Sequence, residues 1–208
     1  GGGVVVVGVA LVLLRGIFVA PYRVPSAGMY PTHAPGSHID VTRADRTPAR
    51  GAIMIFRYPE NPKQQLDQRV VALPGDVVQT RGAALTIDGW EVLCCEVGKY
   101  SYVDGDSVPP THTGTLAVEW LGDQTYFVFH DEGVVANDFG PYTVEPGEYF
   151  VMGDNRENSY DSRMWRAGTG GGVPSAAVVG RVRDRKLTLP RGAEALRAAL
   201  DACIAKKP

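Results

Sequence analysis

Residues 148–163 read EYFVMGDNRENSYDSR. The run EYFVM at 148–152 has the length and the apolar and aromatic content of a strand, and Gly153 is a residue that commonly ends one. The remaining residues, 154–163, alternate acids, arginines and small polar side chains. The stretch therefore predicts a strand that leads into a polar loop.

The segments around it also favour short strands. The chain has 25 glycines and 15 prolines, which separate Val-rich and Tyr-rich runs and favour strands joined by turns over a helical bundle. Strands are predicted at residues 52–58, 68–73, 77–80, 84–87, 91–93, 125–129, 148–152 and 177–182. Asp88-Gly89 predicts a hairpin turn. Only residues 193–205 alternate Ala, Leu and charge at helical spacing, so the fold class is mainly β with one C-terminal helix.

The length and charge of the chain limit its architecture and its partners. With 208 residues, it can bury one core with a smaller appended lobe, but not a second full domain. The irregular stretch 94–145, with aromatic strands between polar turns, is predicted to be an inserted β lobe. The formal net charge is -2 and no Lys/Arg-rich run is present, so nucleic acid is not an expected partner.

The cysteines and histidines give no sign of a disulfide framework or a metal. Cys94 and Cys95 are adjacent, a bridge between them would be strained, and Cys203 is then left alone. No CxxC or HExxH occurs, and the four histidines, at positions 33, 38, 112 and 130, are expected to be solvated. We predict no metal and no cofactor.

The N-terminal segment, residues 1–20, reads GGGVVVVGVALVLLRGIFVA. A spanning helix needs about 20 apolar residues, so the segment predicts a short or partial membrane anchor. A cleaved secretory signal would have a basic region before the apolar run, and none is present. A buried core strand would be shorter. Beyond this segment, residues 24–41 contain prolines at 25, 31 and 35, which predict an exposed, fixed loop.

Three segments together carry a resemblance to a known family. They are VPSAGMYPT at 24–32, QRVVALPGD at 68–76 and GDNRENSYDSR at 153–163, in that order after an apolar segment, with FRYP at 56–59 between the first two. The chain resembles bacterial type I signal peptidases. The resemblance implies a β core with an inserted β lobe, held on the extracytoplasmic side of the cytoplasmic membrane by a single N-terminal anchor helix. It also implies cleavage of signal peptides from exported preproteins after a small residue, by a serine nucleophile and a lysine base.

On this interpretation the chain has four parts. Residues 1–20 form the anchor, 21–93 and 146–190 the catalytic-type β core, 94–145 the inserted lobe, and 191–208 a C-terminal helix and tail.

Both reactive positions of the family are substituted here. The nucleophilic serine corresponds to Gly28, which has no side chain. The lysine base corresponds to Gln68, whose neutral amide cannot accept a proton usefully near pH 7. Ser26 matches a serine of the family's oxyanion hole. Asp67 stands where the family usually has an apolar residue, and a carboxylate desolvated there without a partner would be costly.

The third segment is intact, and the resemblance gives its residues supporting roles. Asp154, Arg156, Asp161 and Arg163 would form charge-paired scaffolding, and Ser159 would bond the lysine amine or, here, the Gln68 amide. Loop support without a catalytic role is an equally open interpretation of the four charged residues. The substrate groove is predicted to include Val24, Pro25, Met29, Leu66 and Asp67, since the family holds its substrate as an added strand.

Three functional hypotheses follow. The first is an inactive signal-peptidase-like membrane protein that binds signal peptides of exported preproteins or an active paralogue. The second is an active enzyme, either with an altered dyad or with a relocated pair such as Ser26 and Lys63. The third is a structural β protein at the membrane surface, in contact with lipid.

Overall fold

The computed structural model describes residues 19–105, 111–136, 138–183 and 186–207, and these form a mainly β protein. The strands are β1 Val19–Arg23, β2 His38–Thr42, β3 Ile53–Tyr58, β4 Asn61–Ala72, β5 Val77–Arg81, β6 Ala84–Ile87, β7 Trp90–Glu91, β8 Cys94–Val103, β9 Thr111–Leu121, β10 Gln124–Asp131, β11 Phe139–Thr143, β12 Glu148–Met152, β13 Val173–Pro174 and β14 Val178–Val182. An α-helix, α1, spans Arg197–Ile204. Short 3-10 turns lie at Ala27–Met29, Ser175–Ala177 and Glu194–Leu196.

The described strands form three sheets. The largest has the order β1-β2-β14-β3-β4-β12-β13, the second β10-β9-β8 and the third β11-β5-β6-β7. One apolar cluster contains side chains from all three sheets, among them Val71, Val78, Val128 and Phe150. The sheets therefore share one core instead of forming separate units.

The segment predicted as an inserted lobe, 94–145, divides between two sheets. β8, β9 and β10 form the three-stranded sheet, whereas β11 pairs with β5 in the four-stranded sheet. The hairpin predicted at Asp88-Gly89 is present, with both residues at positive φ (54° and 80°), as a type I′ turn requires. It joins β6 to β7.

A disulfide links the three-stranded sheet to the C-terminal helix, and the expectation that Cys203 has no partner is wrong. Cys95 of β8 is bonded to Cys203 of α1 across a sequence separation of 108 residues. Leu200 of the same helix packs into a cluster with Tyr100, Tyr102 and Phe129. The partner was not foreseen because no local signal in the sequence brings β8 next to α1. Cys94 is exposed and unpaired in the described structure.

The predicted anchor lies almost entirely outside the described residues. Its last two residues, Val19 and Ala20, belong to β1, which pairs with β2, so they continue the β core instead of an anchor helix. No helix in the described part of the chain is long and apolar enough to cross a bilayer.

The segment 24–41 is less exposed than predicted. Val24, Ala27 and Met29 are buried, and the segment ends in β2. The prolines do prevent a regular helix, and the Tyr30-Pro31 bond is cis. The segment lies against the large sheet because Val24 and Met29 pack with Ile53 and Ile55 of β3.

Candidate functional site

The first motif is held against the third by hydrogen bonds to its backbone. Ser26 is extended (φ -152°, ψ 175°) and leads into the turn Ala27–Met29. The buried side chain of Asn155 donates from Nδ2 to Ala27 O at 3.0 Å, and its backbone N–H donates to Gly28 O at 3.1 Å. A Cβ at Gly153 would overlap Gly28 O, so the absence of a side chain at 153 permits this close approach. Asn155 was not singled out from the sequence.

Gly28 faces an open space at the centre of the site. A Cβ built on it would lie 3.6 Å from Ser159 Oγ, 3.7 Å from Ser26 Oγ and 3.8 Å from Asn158 O. These are ordinary van der Waals distances, and Gly28 does not have a positive φ. The site therefore has room for a Cβ at position 28.

Gln68 reaches the same space from β4. Its Nε2 donates to Tyr160 O at 3.0 Å and to Ser159 Oγ at 3.4 Å. Its Oε1 is buried and has no hydrogen-bond partner among the described residues, which costs about 1–3 kcal/mol for an amide oxygen. The amide thus bonds the serine that the sequence assigned to it, but it cannot accept a proton as a lysine amine would.

Asp67 has a partner that the sequence did not reveal. Its Oδ2 lies 2.8 Å from His33 Nδ1, and both side chains are buried. Burial raises the pKa of the Asp67 carboxyl, and the hydrogen bond from His33 partly opposes this. The expectation that His33 is solvated is wrong, since it is 2% exposed. The two residues pair across 34 positions, so neither motif alone indicates the contact.

The charged residues of the third motif form ion pairs, but only one pair lies within the motif. Arg163 donates to Asp161 at 2.9 and 2.8 Å. Asp154, fully buried, accepts two hydrogen bonds from Arg69, at 2.7 and 2.6 Å, and one from a threonine of the first motif, at 2.5 Å.

The remaining arginine of the motif pairs with the three-stranded sheet. Arg156 donates to Glu119 Oε2 at 2.6 Å, and both are buried. The guanidinium of Arg69 also lies 3.7 Å from the ring centroid of Tyr126. The sequence offered a hint for Arg69, which directly follows Gln68, but none for Glu119.

These residues surround a cavity of about 240 Å³. Of the predicted site residues, it is lined by Ser26, Gly28, Met29, Leu66, Asp67, Gln68 and Ser159. Tyr58, Gln64, Asn158 and Tyr160 also line it and were missed. The four charged residues predicted as scaffolding, Asp154, Arg156, Asp161 and Arg163, lie outside its lining.

Two predicted groove residues are placed elsewhere. Val24 is 1% exposed and packs in the core, and Pro25 lines a different surface cavity. Lys63 is exposed and is not part of the lining, so it does not meet Ser26 in this cavity.

An open strand edge runs beside the cavity. β4 pairs with β3 along residues 61–69, whereas β12 pairs with its other edge only at Arg69, Val70 and Ala72. No described strand pairs with that edge over residues 61–68. The hydroxyl of Tyr22 donates to Gln65 O at 2.9 Å, and Leu66 of this stretch lines the cavity.

No metal centre is formed by the residues that the structure describes, because they contain no group of three or more His, Cys, Asp or Glu side chains placed to hold an ion.

Comparison with known proteins gives consistent matches. The family model described as signal peptidase, peptidase S26, matches residues 3–185. Signal peptidase I of Pseudomonas aeruginosa is 33% identical over 179 residues, 74% of this chain and 58% of the relative. Signal peptidase I T of Bacillus subtilis is 32% identical over 78% of this chain and 73% of the relative. The chain thus spans less than two thirds of the Pseudomonas relative. A crystal structure of a signal peptidase I from Enterococcus faecalis V583 shares 29% identity, covers 66% of this chain and 97% of that chain, and superposes with a TM-score of 0.37.

Proposed function

Because the chain belongs to the signal peptidase family, peptidase S26, we propose that it binds signal peptides of exported preproteins without cleaving them. The observation that carries the proposal is the pair of substitutions at the centre of the site. Gly28 presents no hydroxyl, and Gln68 presents an amide already bonded to Ser159 and Tyr160.

Cleavage by the family's mechanism needs both groups. A serine hydroxyl is a weak nucleophile until a base accepts its proton, and a lysine does so when burial lowers its pKa. Losing the nucleophile or base of a comparable catalytic unit lowers kcat by about a million-fold, and the losses are not additive. Oxyanion stabilisation and substrate positioning alone leave roughly 10³–10⁴-fold over water. Ser26 and the backbone around Gly28 are the groups that would provide this remaining rate acceleration.

Peptide binding does not need the dyad. An extended peptide can add to an exposed strand edge through main-chain hydrogen bonds, with small pockets selecting alternate side chains. The open edge of β4 at residues 61–68 and the adjacent cavity of about 240 Å³ support such an arrangement. The peptide would share this edge with Tyr22, whose hydroxyl already bonds Gln65 O.

We further propose an extracytoplasmic location at the cytoplasmic membrane, with residues 1–20 as the anchor and lipid as a partner. Disulfides persist in oxidising compartments and are rare in the cytosol, so the bond between Cys95 and Cys203 supports this side of the membrane. An active paralogue is a second proposed partner, which would cleave the peptides that this chain holds.

The space at Gly28 supports a second candidate function. Because a Cβ there meets no atom closer than 3.6 Å, the chain fits an active type I signal peptidase whose two reactive residues have been substituted. In that case, restoring them recovers the enzyme.

The test combines cleavage and binding of a signal peptide that ends in Ala-x-Ala. We expect no cleavage by the chain with Gly28 and Gln68, and cleavage by the Gly28→Ser/Gln68→Lys variant. Each single variant should resemble the unrestored chain, because either group alone is insufficient. Cleavage by the unrestored chain near the rate of the double variant would refute inactivity.

Binding is measured separately by calorimetry with the full chain in detergent. The unrestored chain should bind the peptide, and Gly28→Leu, which fills the cavity, should weaken binding. Lys206→Ala is the control, because Lys206 is exposed at the C-terminal end of the chain, outside both the cavity and the β4 edge. Absence of binding at high micromolar peptide would refute the binding proposal.

A further inference from the structure

A second cavity lies on the opposite side of β4 from the candidate site. It has a volume of about 430 Å³ and is lined by the loop after Met29, by β10 and by the chain that follows β14. Consecutive side chains of a strand point to opposite faces. Gln68 lines the candidate site, and its neighbour Arg69 lines this second cavity. Asp67 lines the candidate site and bonds His33, which lines the second cavity.

The described lining of this cavity is strongly basic. It contains His33, Arg69, Arg183 and Lys186, and no aspartate or glutamate among the residues that the structure describes there. This contrasts with the whole chain, whose formal net charge is -2. Like-signed charges around a concave surface reinforce one another and raise the local concentration of counter-ions.

Two of these basic side chains have no ion-pair partner among the described residues. Arg183 and Lys186 are exposed, and neither forms an ion pair within the described ranges. By contrast, the guanidinium of Arg69 is engaged by Asp154 and by Gly51 O. The charge of Arg69 is therefore compensated by Asp154, whereas Arg183 and Lys186 are free to contact a ligand directly.

The imidazole ring of His33 is held in place by a hydrogen bond to Asp67. Its Nδ1 is engaged by Asp67 at 2.8 Å, which leaves Nε2 as the ring nitrogen available to the cavity. A carboxylate that fixes one imidazole nitrogen commonly sets the role of the other. The lining also includes Thr125, whose hydroxyl can donate to an oxyanion, whereas the Thr188 hydroxyl donates to Lys186 O at 3.2 Å.

We propose that this cavity binds a phosphate group, carried either by a phospholipid headgroup or by a free phosphate ester. Flexible cations together with hydroxyl and imidazole donors match the several acceptor oxygens of a phosphate. The volume leaves room for an organic group attached to it. A polyanion would need a longer basic surface than the two uncommitted cations, Arg183 and Lys186, provide.

Binding is tested with the full chain in neutral detergent, using inorganic phosphate and glycerol 3-phosphate as probes in calorimetry or NMR titrations. The variant Arg183→Gln/Lys186→Gln removes both uncommitted cations from exposed positions, so it should fold normally. Its matched control, Lys206→Gln/Lys207→Gln, removes the same charge at the exposed C-terminal end. We expect the first variant to weaken phosphate binding roughly tenfold, as two charge-assisted contacts predict, and the control to leave it nearly unchanged.

Vesicles distinguish the two sources of phosphate. Stronger binding to phosphatidylglycerol than to phosphatidylcholine vesicles, lost in the Arg183/Lys186 variant only, would assign the site to a lipid headgroup. Binding of the soluble probes without this vesicle preference would assign it to a free ester. The proposal is overturned if millimolar phosphate gives no binding, or if the two double variants weaken binding equally. Neither result depends on signal-peptide binding.

Discussion

Loss of the bond between Cys95 and Cys203 should destabilise the whole β core. In the chain-entropy model, the 108-residue separation of the two cysteines corresponds to about 4.8 kcal/mol of stabilisation at 25 °C. Native disulfides more commonly contribute about 2–4 kcal/mol. We therefore expect Cys95→Ala/Cys203→Ala to lower the free energy of unfolding by about 2–5 kcal/mol, and the urea midpoint by about 1–2 M.

The assay is urea unfolding of the oxidised chain, the reduced chain and the double variant, followed by tryptophan fluorescence and far-UV circular dichroism. The control is Cys94→Ser, because Cys94 is adjacent to Cys95 but exposed and unpaired. Reduction should reproduce the double variant, and the control should match the original chain. A reduced chain with an unchanged midpoint, or a Cys94→Ser variant as unstable as the double variant, would refute the pairing.

Three further predictions concern the site. Gly28→Ser should change the free energy of unfolding by less than about 0.5 kcal/mol, since its Cβ contacts lie at 3.6–3.8 Å; a calorimetric loss of more than about 1.5 kcal/mol would contradict this. Glu119→Leu leaves Arg156 buried and unpaired, so urea unfolding should show a loss of about 3–5 kcal/mol, which Arg156→Met added to it should largely restore. Burial raises the pKa of Asp67 above its unfolded value. The contribution of Asp67 to the free energy of unfolding therefore falls as pH rises from the unfolded pKa to the folded pKa. The free energy of unfolding of Asp67→Asn, relative to the original chain, should therefore rise by about 1.4 kcal/mol for each pH unit between the two pKa values. Urea unfolding measured from pH 3 to 7 would contradict this if the difference became smaller as pH rises.

The fold was predictable wherever the apolar pattern is local. The strand at 148–152 has the predicted bounds, because its apolar run is flanked by turn residues on both sides. β4 begins at Asn61, seven residues before the predicted strand. Its first half is exposed and polar, and it is extended because it pairs with β3. Pairing within this hairpin leaves no apolar periodicity in a polar, exposed segment.

The site shows the same division. The motifs predict a shared site for Gly28, Gln68 and Ser159, and all three line one cavity. They do not reveal the clamp by Asn155, whose amide holds Ala27 O across 128 positions. Contacts of this kind depend on how the sheets pack, so they were accessible only from the structure.

Folding alone gives the charged residues of the third motif a role that does not depend on catalysis. Asp154 and Arg156 are buried charges, and removing the partner of such a charge costs about 3–5 kcal/mol. Their partners, Arg69 and Glu119, lie in β4 and β9, so the two pairs tie the motif to two different sheets. The need for these two ion pairs is the same whether residue 28 is a serine or a glycine. The buried charges of the motif are therefore needed for the fold, whatever the residues at positions 28 and 68.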